Sequence, residues 1–268
     1  MKAKLQQSVD DVEVYLFYRR VIDVLNQASI PFLLGGGFAL EFYTQIDRGI
    51  KDMDLFVHRA DLDRVFEALG RAGFGTELTF SHWLGKVLSN GHCVDIIFSS
   101  GNGLCEVDDL WFQRCVEDRL FDLQVKFCPP EEMIWSKAFV MERERYDGSD
   151  IAHLILSCAL DWRHLLLRFG EHWRVLLSHL ILFGYIYPSE RSRVPSELLR
   201  TLGARLEAEI SAPVSASHMP CYGPFLSRVQ YRVDVEEAGY QDARLAPQGS
   251  MSSDEIARWT EAADAEQK

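Results

Sequence analysis

Two short apolar segments of the chain carry acidic residues where a buried strand would ordinarily have none. The first reads Asp52-Met-Asp54-Leu-Phe-Val, and the second reads Cys93-Val-Asp95-Ile-Ile-Phe. Side chains alternate between the two faces of a strand, so Asp52 and Asp54 share a face while their apolar neighbours point into a core. An isolated buried carboxylate is costly unless a cation or strong hydrogen-bond donors pair with it. The pattern therefore predicts a sheet on which three acids, Asp52, Asp54 and Asp95, meet at one site.

A run of three glycines, Gly35 to Gly37, separates an apolar strand from the start of a predicted helix. Backbone N–H groups at such a turn favour phosphate, and the missing Cβ atoms let a triphosphate approach the backbone. By itself, a glycine turn is equally typical of a tight turn that binds nothing. Together with the three acids, it predicts that Gly36 and Gly37 bind the phosphates of a nucleotide.

Carboxylate oxygens are the ligands that Mg²⁺ prefers, and Mg²⁺ commonly binds substrate phosphates at the same time. We therefore predict Asp52, Asp54 and Asp95 as metal ligands and as catalytic residues, with two Mg²⁺ ions or with Mn²⁺ in their place. A pair of ions can hold the attacking and leaving oxygens of an in-line phosphoryl displacement. In this interpretation Asp95 also helps to deprotonate the attacking hydroxyl.

These motifs are similar to those of the polymerase-β-like nucleotidyltransferase superfamily. The matching segments are Leu34-Gly-Gly-Gly-Phe-Ala-Leu40, Arg48-Gly-Ile-Lys-Asp-Met-Asp-Leu55 and Val94-Asp-Ile96, within roughly residues 20–155. The resemblance implies an α/β (α+β) fold, a mixed sheet with flanking helices followed by a helical subdomain. It also implies an enzyme that transfers a nucleoside monophosphate from an NTP to an acceptor and releases pyrophosphate. Small bacterial members include toxin components of abortive-infection systems, which implies a toxin role and a cognate antitoxin.

The resemblance also implies nucleotide contacts beyond the sheet. The stretch 130–153 is similar to the helical segment in which a lysine and a following aspartate border the nucleotide pocket, and the matching positions are Lys137 and Asp150. Lys137 shares a predicted helix face with apolar residues, so it needs an anionic partner, and a triphosphate would serve. Arg48, in the loop after the glycine-turn helix, either reaches the triphosphate or is solvated at the surface.

Two hydroxyl groups that are common in the family are missing from this chain. Ile50 stands where many relatives have Thr or Ser, and Gly37 stands where many have Ser, so backbone N–H groups would bind the phosphate alone. This loss supports an alternative, a catalytically inactive nucleotide- or partner-binding module with the same fold. The three acids favour the enzyme, because folding alone does not require carboxylates to converge from separate strands.

The charge balance bears on the acceptor. A net charge of −12 and a pI near 5.1 give the chain no general attraction to nucleic acid. The acceptor stays open among RNA such as a tRNA end, a protein hydroxyl and a small molecule such as an aminoglycoside. The acidic charge balance weakens the hypothesis of a tRNA acceptor.

The six cysteines show no C-x-x-C spacing, so neither a zinc site nor a disulfide framework is indicated.

The chain has no segment typical of membrane insertion or export. Its most apolar helix, over 175–187, is shorter than the roughly 20 residues of a membrane span. The first residues lack the apolar core of a signal peptide. We therefore expect a cytoplasmic protein that does not contact the membrane.

Three regions are predicted along the chain. Residues 1–128 form the nucleotidyltransferase domain with an N-terminal helix, 129–210 form the helical subdomain, and 211–268 form a C-terminal extension packed on the helical part. Within the first region, the patterns predict helices over 10–29 and 60–72, a hairpin of 86–88 and 92–98 around Asn90-Gly91, and one strand over 120–127. The polar and aromatic segment 227–244 carries no predicted chemistry.

Overall fold

The computed structural model describes residues 12–47, 49–50, 52–212 and 219–266. The chain divides into two compact units, Met1–Pro129 and Pro130–Lys268. The first unit contains a mixed sheet with flanking helices, and the second is mainly helical. The predicted fold class is therefore confirmed, whereas the division into three regions stays a prediction.

The first unit alternates helices and strands. Its helices are α1 (Val12–Gln27), α2 (Gly36–Thr44), α3 (Leu62–Arg71) and the short α4 (Asp109–Gln113). Its strands are β1 (Leu33–Leu34), β2 (Met53–Phe56), β3 (Gly75–Phe80), β4 (Leu84–Ser89), β5 (His92–Ile97), β6 (Val116–Leu120) and β7 (Leu123–Phe127). Together they form one sheet in the order β3-β4-β5-β2-β1-β7-β6.

The middle of this sheet is buried because its strands are apolar on both faces where helices cover them. In β1, Leu33 and Leu34 are fully buried, and in β2 Met53 and Leu55 are fully buried. Burial of side chains of this size contributes about 1.5–3 kcal/mol each. β2 runs parallel to β5 and antiparallel to β1. The acids on β2 and β5 are therefore exceptions within an otherwise apolar centre.

Two strands differ from the sequence-based expectation. β3 was not predicted, because the alternation of polar and apolar side chains covers only Glu77 to Phe80 and most of the strand is exposed. The predicted single strand over 120–127 is wrong, since the chain folds there into the hairpin of β6 and β7. Its turn residues, Phe121 and Asp122, have φ of 53° and 63°. Such turns are usually marked by Asn or Gly, and here an apolar run hides the turn.

The second unit is built from helices. Glu132 in its first helix is fully buried and bonds to His164 at 2.6 Å and to Arg168 at 2.9 Å. A buried carboxylate needs such partners, so this triad fits a structural role for His164.

The elements of the second unit are α5 (Pro130–Lys137), α6 (Gly148–Ser157), α7 (Trp162–Phe169), α8 (Trp173–Ile186), α9 (Ser196–Ile210), α10 (Arg232–Glu236), α11 (Ser253–Glu266) and the paired strands β8 (Pro220–Cys221) and β9 (Gln241–Asp242).

The segment after β8 packs on the loop that precedes α6. The Met141 amide donates to the Leu226 carbonyl at 3.1 Å, and the Glu142 carboxylate accepts bonds from Ser227 and from the Arg228 amide.

Among the described residues, no helix combines the length and the apolar composition that a membrane crossing requires.

Candidate active site

The glycine turn lies between β1 and α2, directly beneath Asp54. The Gly35 amide donates to the Asp54 carbonyl at 2.9 Å, which ties the turn to β2. Gly36 has a φ of 52°, and a Cβ atom at this position would lie 1.7 Å from Oδ2 of Asp54. Only glycine fits here, both because of the positive φ and because the carboxylate occupies the space of a side chain.

The turn also leaves the start of α2 without a side-chain cap. Gly35 is the N-cap, and it has no side chain that could accept a hydrogen bond from the first turn. The first N–H groups of a helix have no carbonyl partners within the helix, and the helix dipole adds partial positive charge. This end of α2, which includes Gly36 and Gly37, therefore has the chemistry that phosphate binding requires.

The two departures from the family pattern lie side by side. A Cβ atom at Gly37 would lie 3.3 Å from Cγ1 of Ile50, so the isoleucine side chain packs against the bare backbone of the turn. A serine at position 37 would crowd Ile50. The two missing hydroxyl groups therefore belong to one local feature. Gly37 and Ile50 make an apolar contact at positions where many members of the superfamily that the sequence resembles have polar side chains.

The sheet brings the acids together. Asp54 on β2 lies directly opposite Asp95 on the parallel strand β5, so both side chains are on one face. Asp52 is exposed just before the first residue of β2. It lies two residues from Asp54, and residues two apart along an extended chain share a face. The register places Asp54 and Asp95 side by side, and a site formed by all three acids stays a prediction.

The phenol of Tyr18 is within electrostatic range of the same acids. Burial, with a smaller contribution from the charges of Asp52, Asp54 and Asp95, raises its pKa to about 12. Tyr18 belongs to α1, is only 2% exposed, and packs edge-on against Phe38 of α2. The periodicity that predicts a helix over 10–29 does not encode this closeness of Tyr18 to the acids, because it depends on tertiary packing.

Lys86 is a site residue that the sequence reasoning missed. Its Nζ atom lies 2.7 Å from Oδ1 of Asp95, directly across β4 and β5. Burial alone would lower the pKa of Lys86, but the hydrogen bond and the charge of Asp95 outweigh it and raise the pKa. The signal was in the sequence: a two-residue turn at Asn90-Gly91 pairs Ser89 with His92, and counting outward places Lys86 opposite Asp95.

The oxygen donors fit Mg²⁺ in part. Asp52 and Asp54 offer carboxylates on one face beside the glycine turn, and Mg²⁺ needs only one or two protein carboxylates when phosphates and water complete its shell. Asp95 differs, because one of its oxygens already accepts a hydrogen bond from Lys86. Within the described ranges, no three His, Cys, Asp or Glu side chains are grouped closely enough to hold an ion. The predicted set of three metal ligands therefore stays a prediction.

Lys137 and Asp150 lie in the second unit, and they contact each other. The Lys137 ammonium bonds to Asp147 at 2.9 Å and to Asp150 at 2.8 Å, and its side chain is 17% exposed. Arg145 donates two further bonds to Asp147. The anionic partner that Lys137 required is thus supplied by two carboxylates of its own unit. Nucleotide binding by these residues stays a prediction, as does that of Arg48, which lies outside the described residues.

The segment 227–244, for which the sequence predicted no chemistry, lines a cleft of about 420 Å³ with α11. Three arginines line it, Arg228, Arg232 and Arg244. Acidic side chains in the lining balance them, and Arg244 pairs with Asp242 at 2.7 Å. The lining is therefore close to neutral and favours neither an anion nor a cation.

Similarity to known proteins was found among solved structures. The sequence matches no family model. No curated protein matches it either. Among solved structures, the chain is similar to the antibiotic-resistance factor ANT(2'')-Ia, with 14% identity, 75% of this chain and 95% of that chain covered, and a TM-score of 0.39. It is similar to the lincosamide antibiotic adenylyltransferase LnuA, solved with lincomycin, with 16% identity, coverage of 53% and 96%, and a TM-score of 0.38.

A third similar structure is an antigenic nucleotidyltransferase-like protein from Paracoccidioides brasiliensis, with 17% identity, coverage of 65% and 88%, and a TM-score of 0.42. Two of these three similar structures are named as an adenylyltransferase and as a nucleotidyltransferase-like protein. Identities and scores at this level assign neither an activity nor a substrate to this chain.

Proposed function

We propose that the chain is a Mg²⁺-dependent nucleotidyltransferase that moves a nucleoside monophosphate from an NTP to an acceptor hydroxyl. The observation that carries the proposal is the position of Asp54. Its carboxylate lies against the backbone of Gly36 on one side and opposite Asp95 on the neighbouring strand. Phosphate-binding N–H groups and metal-binding oxygens are thereby adjacent, as transfer from a triphosphate requires.

Each residue then has a defined task. Asp52 and Asp54 bind the Mg²⁺ that accompanies the triphosphate, and the backbone of Gly36 and Gly37 binds its β and γ phosphates. When bound, the ion neutralises charge on the phosphoryl oxygens. Asp95 accepts the proton of the acceptor hydroxyl as that oxygen attacks the α phosphorus. The bond between the α phosphorus and its bridging oxygen breaks, and pyrophosphate leaves.

The charge of the chain supports a small acceptor over a nucleic acid. At a net charge of −12, long-range repulsion opposes the approach of RNA, whereas a cationic polyhydroxyl compound such as an aminoglycoside is attracted. We therefore rank a cationic small molecule first, a protein hydroxyl second and a tRNA end third. The toxin role and the antitoxin rest on the family resemblance alone. Growth arrest on induced expression, absent when Asp52 and Asp54 are both asparagine, would support them.

The decisive experiment follows label from each α-labelled NTP into a panel of aminoglycosides, tRNA and cell-extract protein, with and without Mg²⁺. We expect Asp95→Asn to bind Mg²⁺ and NTP within a few-fold of wild type, because Asp52, Asp54 and the glycine turn are intact. Transfer should fall by at least about 10²-fold, the low end for loss of a positioned base.

Glu117→Gln is the matched control for this variant. Glu117 is also a strand carboxylate that faces a cross-strand lysine, Lys126 at 3.4 Å, but on the hairpin of β6 and β7. Its transfer rate should equal that of wild type. A different outcome would identify the chain as the inactive binding module. In that case the wild-type protein binds NTP but labels no acceptor, and Asp95→Asn changes neither result. The apolar contact of Gly37 with Ile50 favours this alternative.

A further inference from the structure

Three charged side chains form a row across three neighbouring strands. Lys86 on β4 lies opposite Asp95 on β5, and Asp95 lies opposite Asp54 on β2. Neighbouring strands are about 4.8 Å apart, so Asp95 lies between an ammonium group on one side and a carboxylate on the other. This arrangement places a permanent cation next to Asp95, one of the three acids predicted from the sequence to bind two metal ions.

We propose that Lys86 takes the place of a second divalent ion at Asp95, so that the site holds one Mg²⁺, bound by Asp52 and Asp54. Asp95 then acts as a base rather than as a metal ligand. The Lys86 ammonium holds Oδ1, and Oδ2 faces the acceptor hydroxyl. This inference rests on the proposed function, and it determines how many ions that function uses.

Distance and charge argue for the exclusion. Nζ of Lys86 lies 2.7 Å from Oδ1 of Asp95, which is a charge-assisted hydrogen bond. A Mg²⁺ ion on the same carboxylate would sit about 2.0–2.1 Å from its oxygen. An ammonium and a divalent ion would then share one small acid and repel each other. The side chains of Lys86 and Asp95 are 29% and 22% exposed, so solvent screens this repulsion only in part.

The hairpin fixes the cation in place. Lys86 lies three residues before the end of β4, and the tight turn at Asn90 and Gly91, with φ of 49° and 82°, sets the register of β4 and β5. Lys86 therefore stays opposite Asp95 as long as the hairpin is formed.

The test counts bound Mn²⁺ by electron paramagnetic resonance, in the full chain saturated with an α,β-methylene NTP that does not react. We expect one ion per chain for wild type and one for Lys86→Arg, which keeps the cation. Lys86→Met keeps the apolar stem and removes the charge, and we expect two. Lys86→Met combined with Asp95→Asn should return the count to one, because the added ion binds Asp95.

Lys126→Met is the matched control, since Lys126 also faces a cross-strand carboxylate in the same sheet, and its count should stay at one. Two ions in wild type, or one ion in a folded Lys86→Met, would overturn the inference. Circular dichroism establishes that each variant is folded, and the wild-type count decides by itself if Lys86→Met does not fold. Absence of both analogue and ion from wild type would refute the proposed function instead.

Discussion

Gly36→Ala is the substitution that most directly tests the geometry of the site. The added Cβ would lie 1.7 Å from Oδ2 of Asp54, and contacts below 3.0 Å essentially never occur, so the oxygen must move by about 1.3 Å. A displacement of about 1 Å in a reacting group can lower a rate about 10²-fold. We therefore expect transfer to fall by at least about 10²-fold, equivalent to roughly 2.7 kcal/mol of activation free energy.

The effect on stability should be much smaller and can be matched by a control. An alanine held at positive φ costs about 1–2 kcal/mol, because its Cβ crowds the following carbonyl. Gly170, which ends α7, has a φ of 47°, and a Cβ there would meet no atom within 4 Å. Because Gly170 has a ψ of −114°, outside the left-handed helical region, Gly170→Ala should lose about 1–3 kcal/mol of unfolding free energy while its transfer rate stays at the wild-type level.

Urea denaturation and the labelled-NTP assay, run on both variants, separate strain from displacement of the carboxylate. Gly36→Ala and Gly170→Ala should differ little in the midpoint of unfolding and strongly in transfer. Equal transfer in the two alanine variants would refute the argument, because Asp54 could then move without consequence and would not be a ligand.

Further predictions concern charge. Asp52→Asn combined with Asp54→Asn should abolish Mg²⁺-dependent turnover and leave the apo melting temperature unchanged or higher, since two like charges on one face repel; a clear fall in melting temperature would make the pair structural. Lys137→Met should lower the free energy of unfolding by about 3 kcal/mol in urea, because it removes a cation shared by two nearly buried carboxylates, of which Asp147 keeps Arg145 as a partner. Full stability with weakened NTP affinity would identify Lys137 as a nucleotide ligand instead. Burial lowers the pKa of His179 below its ordinary value, so the unfolded chain takes up a proton more readily than the folded one. Stability should be complete above about pH 6.5 and decrease as the pH falls below it, and melting curves of His179→Gln should show a smaller decrease.

Local patterns predicted the parts of the site that one stretch of chain determines by itself. The glycine turn, the acids of β2 and the acid of β5 each follow from composition and alternation within a few residues. The contact of Lys86 with Asp95 needed one more step, because it depends on which residues a hairpin pairs. The turn at Asn90-Gly91 contained that information, and the register could have been counted from it.

Other features depend on packing between distant segments, which alternation and periodicity do not encode. Tyr18 lies near the acids only because α1 packs beside α2, and Lys137 meets Asp147 and Asp150 only because the chain turns between α5 and α6. The sequence indicated correctly that Lys137 needs an anion. It could not indicate that the anion belongs to the protein.

The anchoring of Glu142 by Ser227 and Arg228 has a consequence for the order of events during synthesis. These partners follow Glu142 by 85 and 86 residues along the chain. At a translation rate of about 5–20 residues per second, roughly 4–17 s pass before they are made. The loop that leads from Glu142 to Asp147 lacks its anchor during that interval, so the second unit completes its packing only near the end of translation, whereas the sheet with Asp52, Asp54 and Asp95 has all its strands much earlier.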